Sequence, residues 1–183
     1  MNTLGKVLFT ATAMITLFAA TPCNRVTAKP AETTSANVVS APEFSAMTVQ
    51  GNQLSSRKLA GQGYIVNFFG SWCPFCRREI PEMVALQEKY EKMGFTFIGM
   101  AYKDNEKSMP DFIWEQSINY PVIMADKSIL DSFGLHVKGG ISSVPLLFAI
   151  SRDGRLLAVE RGAQTRADLE QVVLQTLQRP AKP

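Results

Sequence analysis

From residue 42 onward, short apolar runs alternate with longer stretches in which apolar residues recur every three or four positions. Residues 64–69 (YIVNFF) are mostly β-branched or aromatic, which predicts a central strand buried on both faces. Residues 74–93 have the apolar spacing of an amphipathic helix, and Gly94 is available as its C-cap. Residues 95–101 predict the next strand. This strand-helix-strand order predicts a parallel pair joined by a right-handed crossover.

Similar patterns predict further elements on both sides of this unit. Upstream, we expect a strand at 44–49, a turn at Gly51-Asn52 and a short segment at 54–59. Downstream, we expect helices at 108–116, 128–133 and 165–178, and strands at 122–124, 146–150 and 156–161. The first and last of these helices have Ser108 and Thr165 as predicted N-caps. Asp153-Gly154 is a strong hairpin signal, so the chain is predicted to end in a hairpin and a helix.

Residues 1–28 have the pattern of a secretory signal peptide. A short stretch with Lys6 precedes an apolar run at 7–20, and Ala28 is a small residue at the predicted cleavage site. The apolar run is shorter than the roughly 20 residues that a membrane span needs. An uncleaved membrane anchor and a lipid attached at Cys23 remain open as alternatives. In each case the following domain is exported, so we expect a periplasmic or other extracytoplasmic protein.

Composition separates a globular domain from its flanks. Residues 29–41 are rich in Ser, Thr, Ala and Pro and predict a flexible linker, whereas 42–179 form the predicted domain and 180–183 a tail. The 183-residue chain is 46% hydrophobic and 19% charged, which is typical of a globular protein. Its formal net charge is only +3, so the charge balance does not indicate a nucleic-acid-binding protein.

Two cysteines stand where the predicted buried strand turns into a helix, in the sequence Trp72-Cys73-Pro74-Phe75-Cys76. At this spacing the thiols lie on one helical turn and can close a disulfide. The helix dipole and the unpaired N–H groups of the first turn favour the thiolate of Cys73, which is therefore the predicted nucleophile. Cys76 would then be the resolving thiol, which attacks the mixed disulfide and releases the partner.

Two cysteines at this spacing also occur in sites that do not exchange disulfides. An inert structural disulfide is one of them. A zinc site would need two more ligands, but the domain offers only His136 and carboxylates. A copper site formed by Cys73, Cys76 and His136 remains an alternative from a different functional class. We predict no metal and no cofactor.

The string from Val66 to Pro81 (VNFFGSWCPFCRREIP), followed later by Val144-Pro145, resembles the thioredoxin superfamily. Within that superfamily it is similar to the exported thiol-disulfide oxidoreductases of the TlpA/ResA branch. The resemblance implies an α/β, thioredoxin-like fold, in which helices flank a central mixed sheet. It also implies an N-terminal strand extension and an insertion at about 109–135.

The resemblance assigns roles to further residues. Glu79 matches an acidic residue that tunes the protonation of the cysteines, although position alone allows equally that it complements the helix dipole. Pro145 matches a cis-proline that presents backbone groups to the substrate, with Val144 contributing its own backbone. Asn67 replaces a buried acid of thioredoxin, so we expect no proton transfer there. The predicted substrate-binding surface comprises Trp72, Pro74, Phe75 and Val144.

These features together predict an exported thiol:disulfide oxidoreductase, most consistent with a reductase of exported proteins such as apocytochrome c. Because the exported side of a membrane lacks a thiol-reducing pool, such a reductase needs a thiol electron donor in the membrane. A disulfide-introducing oxidase and a copper-binding assembly factor remain as alternatives.

Overall fold

A central five-stranded sheet is the framework of residues 39–178, the part of the chain that the computed structural model describes. The predicted signal peptide with Cys23, most of the linker and the tail lie outside these residues. The strands are β1 (Ser45–Met47), β2 (Gln53–Ser55), β3 (Gly63–Phe69), β4 (Phe95–Ala101), β5 (Val122–Met124), β6 (Leu146–Ile150) and β7 (Leu156–Arg161). The helices are α1 (Pro74–Tyr90), α2 (Met109–Glu115), α3 (Lys127–Gly134) and α4 (Arg166–Gln178).

The sheet is mixed and has the strand order β5-β4-β3-β6-β7. β3 pairs in parallel with β4, and β4 with β5, whereas β6 is antiparallel to both of its neighbours. β1 and β2 form a separate antiparallel hairpin. The predicted parallel pair and the predicted terminal hairpin are both present. Since β3 is the central strand, the turn that follows Phe69 lies in the middle of one sheet edge, which we call the cysteine edge.

Helices cover both faces of the sheet, and the apolar side chains of β3 alternate between them. Ile65 and Phe69 pack into the core shared with α1, α2 and α4, whereas Val66 and Phe68 pack into the core on the α3 side. Phe133 of α3 makes edge-to-face contacts with Phe68 on that second side. Burial on both faces explains the nearly continuous apolar run in β3.

Several predicted boundaries were wrong by a few residues. The strand expected at 44–49 is limited to β1, because the chain turns and Val49 instead donates its N–H to the Val122 carbonyl. Ser108 makes no side-chain cap, since its hydroxyl donates to the Asn105 carbonyl. α3 begins before residue 128, because the Asp126 carboxylate caps the N–H of Ile129 at 2.8 Å.

The overall architecture confirms the predicted α/β, thioredoxin-like fold with a mixed sheet flanked by helices. α2, β5 and α3 occupy the segment that was expected to be an insertion. Among residues 39–178, no helix is both long enough and apolar enough to cross a membrane.

Candidate active site

Cys73 lies at the cysteine edge, where the chain leaves β3 and α1 begins. Its backbone is extended (φ −90°, ψ 112°), and it is the N-cap of α1. The Sγ atom of Cys73 accepts the backbone N–H of Cys76 at 3.2 Å. Pro74 occupies the first turn of α1, where the N–H that it lacks would have no partner in the helix. The positive end of the α1 dipole is therefore directed at the Cys73 sulfur.

Both cysteines in the described residues are free thiols, and they differ in their surroundings. Cys76 is completely buried, while Cys73 is 3% exposed. Burial raises the pKa of the Cys76 thiol well above its ordinary value, and the hydrogen bond with Cys73 raises it further. Nearby negative charge, including that of Glu79, acts in the same direction. Cys76 therefore needs a proton acceptor before it can act as a nucleophile.

The loop before β6 faces this turn. The Val144–Pro145 peptide bond is cis, the geometry expected from the resemblance. The Cys73 Sγ atom lies 3.9 Å from the Val144 carbonyl oxygen. The carbonyl of Pro145 accepts the N–H of Gly162 at 2.9 Å, which fixes the loop to the segment after β7. Backbone groups of the cis-proline loop and the Cys73 sulfur are thus presented side by side.

Glu79 is a buried carboxylate on the same helix as the cysteines. It is 3% exposed, and its Oε1 atom accepts the backbone N–H of Gln164 at 2.8 Å. Its Oε2 atom is buried and has no hydrogen-bond partner among the described residues. Burial raises the pKa of Glu79 to about 7, although the hydrogen bond from Gln164 acts against this shift. At neutral pH this carboxylate can therefore either accept or release a proton.

Two aromatic side chains beside the cysteines are open to solvent. Trp72 is 56% exposed and Phe75 is 57% exposed, and Pro74 between them in sequence is also exposed. A Cβ atom at Gly70 would lie 2.6 Å from the Trp72 indole, so glycine allows the ring to lie against the backbone. The surroundings of Cys73 therefore form an exposed apolar surface rather than an enclosed pocket.

Sequence reasoning missed Asp104, which holds the turn before Cys73 in place. Its carboxylate accepts the Ser71 hydroxyl at 2.8 Å and also the Ser71 backbone N–H. Lys103, directly before it, has a left-handed backbone (φ 49°) that turns the chain at the end of β4. Gln164 was missed as well, because it acts through its backbone. No local pattern marks either residue, since each bond joins distant parts of the chain.

Two sequence expectations concern Asn67 and His136. Asn67 is buried in β3, where its amide group donates to Met83 Sδ at 3.1 Å and its Oδ1 atom has no partner among the described residues. His136 follows α3, where its backbone N–H donates to Phe133. Within residues 39–178, no group of three His, Cys, Asp or Glu side chains could hold a metal ion. Cys73, Cys76 and His136, the ligands of the alternative copper site, do not form such a group.

The fold, together with two thiols at a strand-to-helix turn opposite a cis-proline, defines the class of thioredoxin-like oxidoreductases. The chain belongs to the Redoxin family, whose profile matches residues 37–173. A thiol-disulfide oxidoreductase ResA from one strain of Bacillus cereus is 30% identical over 71% of this chain and 72% of its own length. The ResA protein of Bacillus subtilis is 25% identical over 69% of this chain and 68% of its own length.

Solved structures lead to the same class. The chain superimposes with a TM-score of 0.75 on a thiol:disulfide interchange protein of the thioredoxin family from Chlorobium tepidum TLS. That protein is 39% identical, and the match covers 78% of this chain and 98% of the other. The protein is thus a thiol-disulfide oxidoreductase similar to ResA.

Proposed function

We propose that Cys73 and Cys76 are the redox pair and that the enzyme reduces disulfides in exported proteins such as apocytochrome c. The observation that carries the proposal is the position of the Cys73 sulfur. It lies at the N-terminus of α1, accepts the Cys76 N–H and faces the Val144 carbonyl. A sulfur at that point is activated by the helix and is next to the backbone groups that would align a partner chain.

In the first step, the Cys73 thiolate attacks one sulfur of the partner's disulfide. A bond forms between Cys73 Sγ and that sulfur, and the second partner sulfur leaves as a thiolate that takes up a proton. Trp72, Pro74 and Phe75 would contact the apolar side chains of the partner. Val144 and Pro145 would present backbone groups to its main chain.

In the second step, Cys76 resolves the mixed disulfide. Glu79 accepts the Cys76 proton, and the Cys76 thiolate attacks Cys73 Sγ and forms the Cys73–Cys76 bond. The bond between Cys73 and the partner breaks, and the partner's sulfur leaves as a thiolate that takes up a proton, which balances the one that Glu79 then releases. The partner gains two electrons and two protons, and the enzyme is left with a Cys73–Cys76 disulfide. The buried carboxylate suits this role, because its raised pKa of about 7 permits proton transfer near neutrality.

The proposed direction requires a supply of electrons at the site of action. The signal-peptide pattern of residues 1–28 supports a periplasmic or extracytoplasmic location, either free or anchored through the N-terminus. A membrane protein with a reactive dithiol would have to re-reduce the Cys73–Cys76 disulfide. The partners would then be this donor on one side and exported proteins with disulfides on the other.

The reduction potential of the Cys73–Cys76 pair tests the direction. We would equilibrate the isolated protein with dithiothreitol and glutathione buffers, trap the thiols and fit the fraction reduced. A potential near or below about −230 mV supports a reductase, because thioredoxin-like reductants lie on that side of the scale. A potential near about −120 mV would contradict the proposal and make the protein a disulfide-introducing oxidase.

A further inference from the structure

Three cations surround the cysteines at the centre of the cysteine edge. Arg77 and Arg78 are exposed in the first turns of α1, directly after Cys76. Lys103 is also exposed and lies two residues beyond the end of β4, where the preceding residue bonds to the Phe69 carbonyl. These positive charges therefore converge on the proposed redox site from two separate elements.

Two further cations lie on the β6–β7 side of the same edge. Arg161 ends β7 and pairs in register with Leu146, the residue directly after the cis-proline. The Arg161 guanidinium donates to the Lys138 carbonyl at 2.9 Å. This hydrogen bond places the backbone of Lys138 next to the end of β7. Both side chains are exposed. Positive charge thus borders the cis-proline loop as well as α1.

None of these five cations forms an ion pair within residues 39–178. The ion pairs of the described residues all involve other cations. They are Arg57–Glu43, Lys89–Glu170, Lys127–Asp131, Arg155–Asp153 and Arg166–Glu82. The cysteine edge therefore keeps its positive charge un-neutralised, although the protein pairs its charges at several other places.

The three central cations lie over aromatic rings. The pairs and their distances to the ring centroids are Arg77 over Phe112 (5.1 Å), Arg78 over Phe75 (4.6 Å) and Lys103 over Tyr102 (5.0 Å). A ring face holds a cation in position without neutralising it. The charges are thus both positioned and available to a partner. A carboxylate that approached from a partner would meet them without displacing an existing ion pair.

Acidic groups of the same region do not remove this excess at the centre. Glu79 is buried, and the Asp104 carboxylate is occupied by the Ser71 hydroxyl and N–H. Glu106 and Glu160 are exposed and form no ion pair in the described part of the chain, and together with Asp104 they are three carboxylates against five cations. The exposed rings of Trp72 and Phe75 add an apolar centre to this basic surface. Buried aromatic anchors inside a polar rim are typical of protein–protein contacts.

We propose that the cysteine edge selects partner proteins whose redox cysteines are flanked by Asp or Glu side chains. This inference rests on the proposed function and names its substrate class. Opposite charges on the two surfaces would steer the partner's disulfide toward Cys73 and would accelerate the encounter more than they would tighten the complex. The aromatic rings would then contact the apolar residues of the partner.

The test uses synthetic peptides that contain one Cys-x-x-Cys disulfide and differ only at the flanking positions. One peptide carries Glu at these positions, a second carries Gln and a third carries Lys. We would measure the second-order rate constant with which the reduced protein is oxidised by each peptide, at low salt and at 0.5 M salt. We expect the order Glu, Gln, Lys, with about a tenfold difference between Glu and Lys at low salt that shrinks as salt rises.

Charge-reversal variants test whether the cations of the cysteine edge cause the preference for the Glu peptide. Arg78→Glu and Lys103→Glu are expected to reverse or abolish the preference for the Glu peptide. The matched control is Lys92→Glu, an exposed cation just before β4 at the opposite edge, which should keep the wild-type preference. Comparing rate ratios between peptides, rather than single rates, cancels any change in the reactivity of Cys73. Far-UV circular dichroism would verify that each variant is folded.

Each outcome separates this inference from the proposed function. If the Gln peptide is reduced but the Glu and Lys peptides react equally fast, the selectivity inference is wrong and the redox function stands. If the reduced protein reacts with none of the three peptides, the redox function itself fails. If the peptides react equally while Arg78→Glu releases the protein from phosphatidylglycerol vesicles, the basic edge binds a lipid surface, and the proposed protein partner is wrong.

Discussion

Two carboxylates at opposite edges of the central sheet have opposite pKa shifts. At the cysteine edge, Glu79 is buried and forms no ion pair among the described residues, and burial raises its pKa to about 7. At the other edge, Asp153 in the β6–β7 hairpin pairs with Arg155 and accepts the Ser151 hydroxyl. The hydrogen bond with Arg155 is the main cause that lowers the pKa of Asp153 to about 2. The same chemical group is thus destabilised in its charged form at the cysteine edge and stabilised in that form at the other.

The difference separates a structural edge from a functional one. At the hairpin edge, Asp153 has both a cation and a hydroxyl as partners, so its negative charge contributes to stability, although the Nε atoms of Arg152 and Arg155 have no hydrogen-bond partner among the described residues. At the cysteine edge, Glu79 Oε2 lacks a partner among the described residues, and so does Asn67 Oδ1 in β3. Buried polar atoms without partners cost stability, and at Glu79 the unpaired atom belongs to a titratable group that can take part in proton transfer. The following substitutions test whether the two edges differ in this way.

The largest effect is expected at the cysteines themselves. Cys73→Ser should abolish disulfide exchange, because no other free thiol in the described residues stands at the helix N-terminus. Cys76→Ser should instead let the first step proceed and accumulate a mixed disulfide between Cys73 and the partner. Non-reducing gels and mass spectrometry after acid quenching would distinguish the two variants. Accumulation of the mixed disulfide in Cys73→Ser would reverse the proposed assignment of nucleophile and resolving thiol.

Glu79→Gln should lower activity and, at neutral to alkaline pH, raise stability. The reduction rate should fall roughly a hundredfold, as is usual when a general base is removed, and its rise with pH through about 7 should disappear. The pKa of Glu79 is higher in the folded protein than in the unfolded chain. The wild type therefore has its full stability below about pH 4, where the carboxyl is neutral in both states, and it loses stability as pH rises through 7. Because Gln has no charge to bury, the variant does not lose this free energy of unfolding, which is of the order of 3 kcal/mol at alkaline pH.

Stopped-flow kinetics and urea unfolding between pH 5 and 9 would measure both effects of Glu79→Gln. Glu88→Gln, an exposed site near the end of α1 that forms no ion pair in the described residues, is the matched control and should change neither the pH profile nor the rate. A Glu79→Gln variant that is less stable than the wild type at pH 9 would contradict the charge assigned to this site.

A smaller effect is expected at Gln164, whose backbone N–H is the hydrogen-bond donor to Glu79 Oε1 in the described residues. Gln164→Pro removes that donor, whereas Gln164→Ala keeps it. Loss of a hydrogen bond to a carboxylate, worth roughly 1.5–3 kcal/mol, should raise the pKa of Glu79 by about one unit or more. The midpoint of the pH–rate profile should shift upward by that amount in the proline variant only. Equal profiles in the two variants would show that this bond does not control the protonation of Glu79.

Local sequence patterns were sufficient for most of the fold. The apolar run of β3 and the helical spacing of α1 are properties of neighbouring residues, so both elements were predicted close to their observed positions. The start of α3 was predicted one residue too late, because apolar spacing takes no account of the Asp126 carboxylate, which caps the helix that begins at Lys127.

The candidate site could be predicted only in part from the sequence, because some of its contacts join distant parts of the chain. Cys73, Cys76 and Glu79 lie within one helix and its N-cap, so their proximity follows from spacing. Asp104 meets Ser71 across 33 positions, and Gln164 meets Glu79 across 85 positions. Such contacts form only when the sheet brings distant loops together. The pKa of Glu79 likewise depends on burial by residues that sequence spacing does not identify.

The smallest effect is expected at the hairpin edge. Asp153→Asn should cost about 1 kcal/mol or less of stability at neutral pH, because the ion pair with Arg155 is partly exposed and solvent screens it. Since the folded pKa of Asp153 is lowered to about 2, its contribution is present above about pH 4 and is lost as pH falls through 2. The Asp153→Asn variant should exchange disulfides at the same rate as the wild type.

Urea unfolding of Asp153→Asn at pH 7 and pH 2.5 would measure this contribution. The difference from the wild type should be largest at pH 7 and should shrink at pH 2.5, where the wild-type carboxylate begins to be protonated in the folded protein. Glu79→Gln is the opposite reference, since it should gain stability where Asp153→Asn loses it. If both variants lost stability at high pH, burial of Glu79 would not oppose its charge, and the two edges would follow one electrostatic rule.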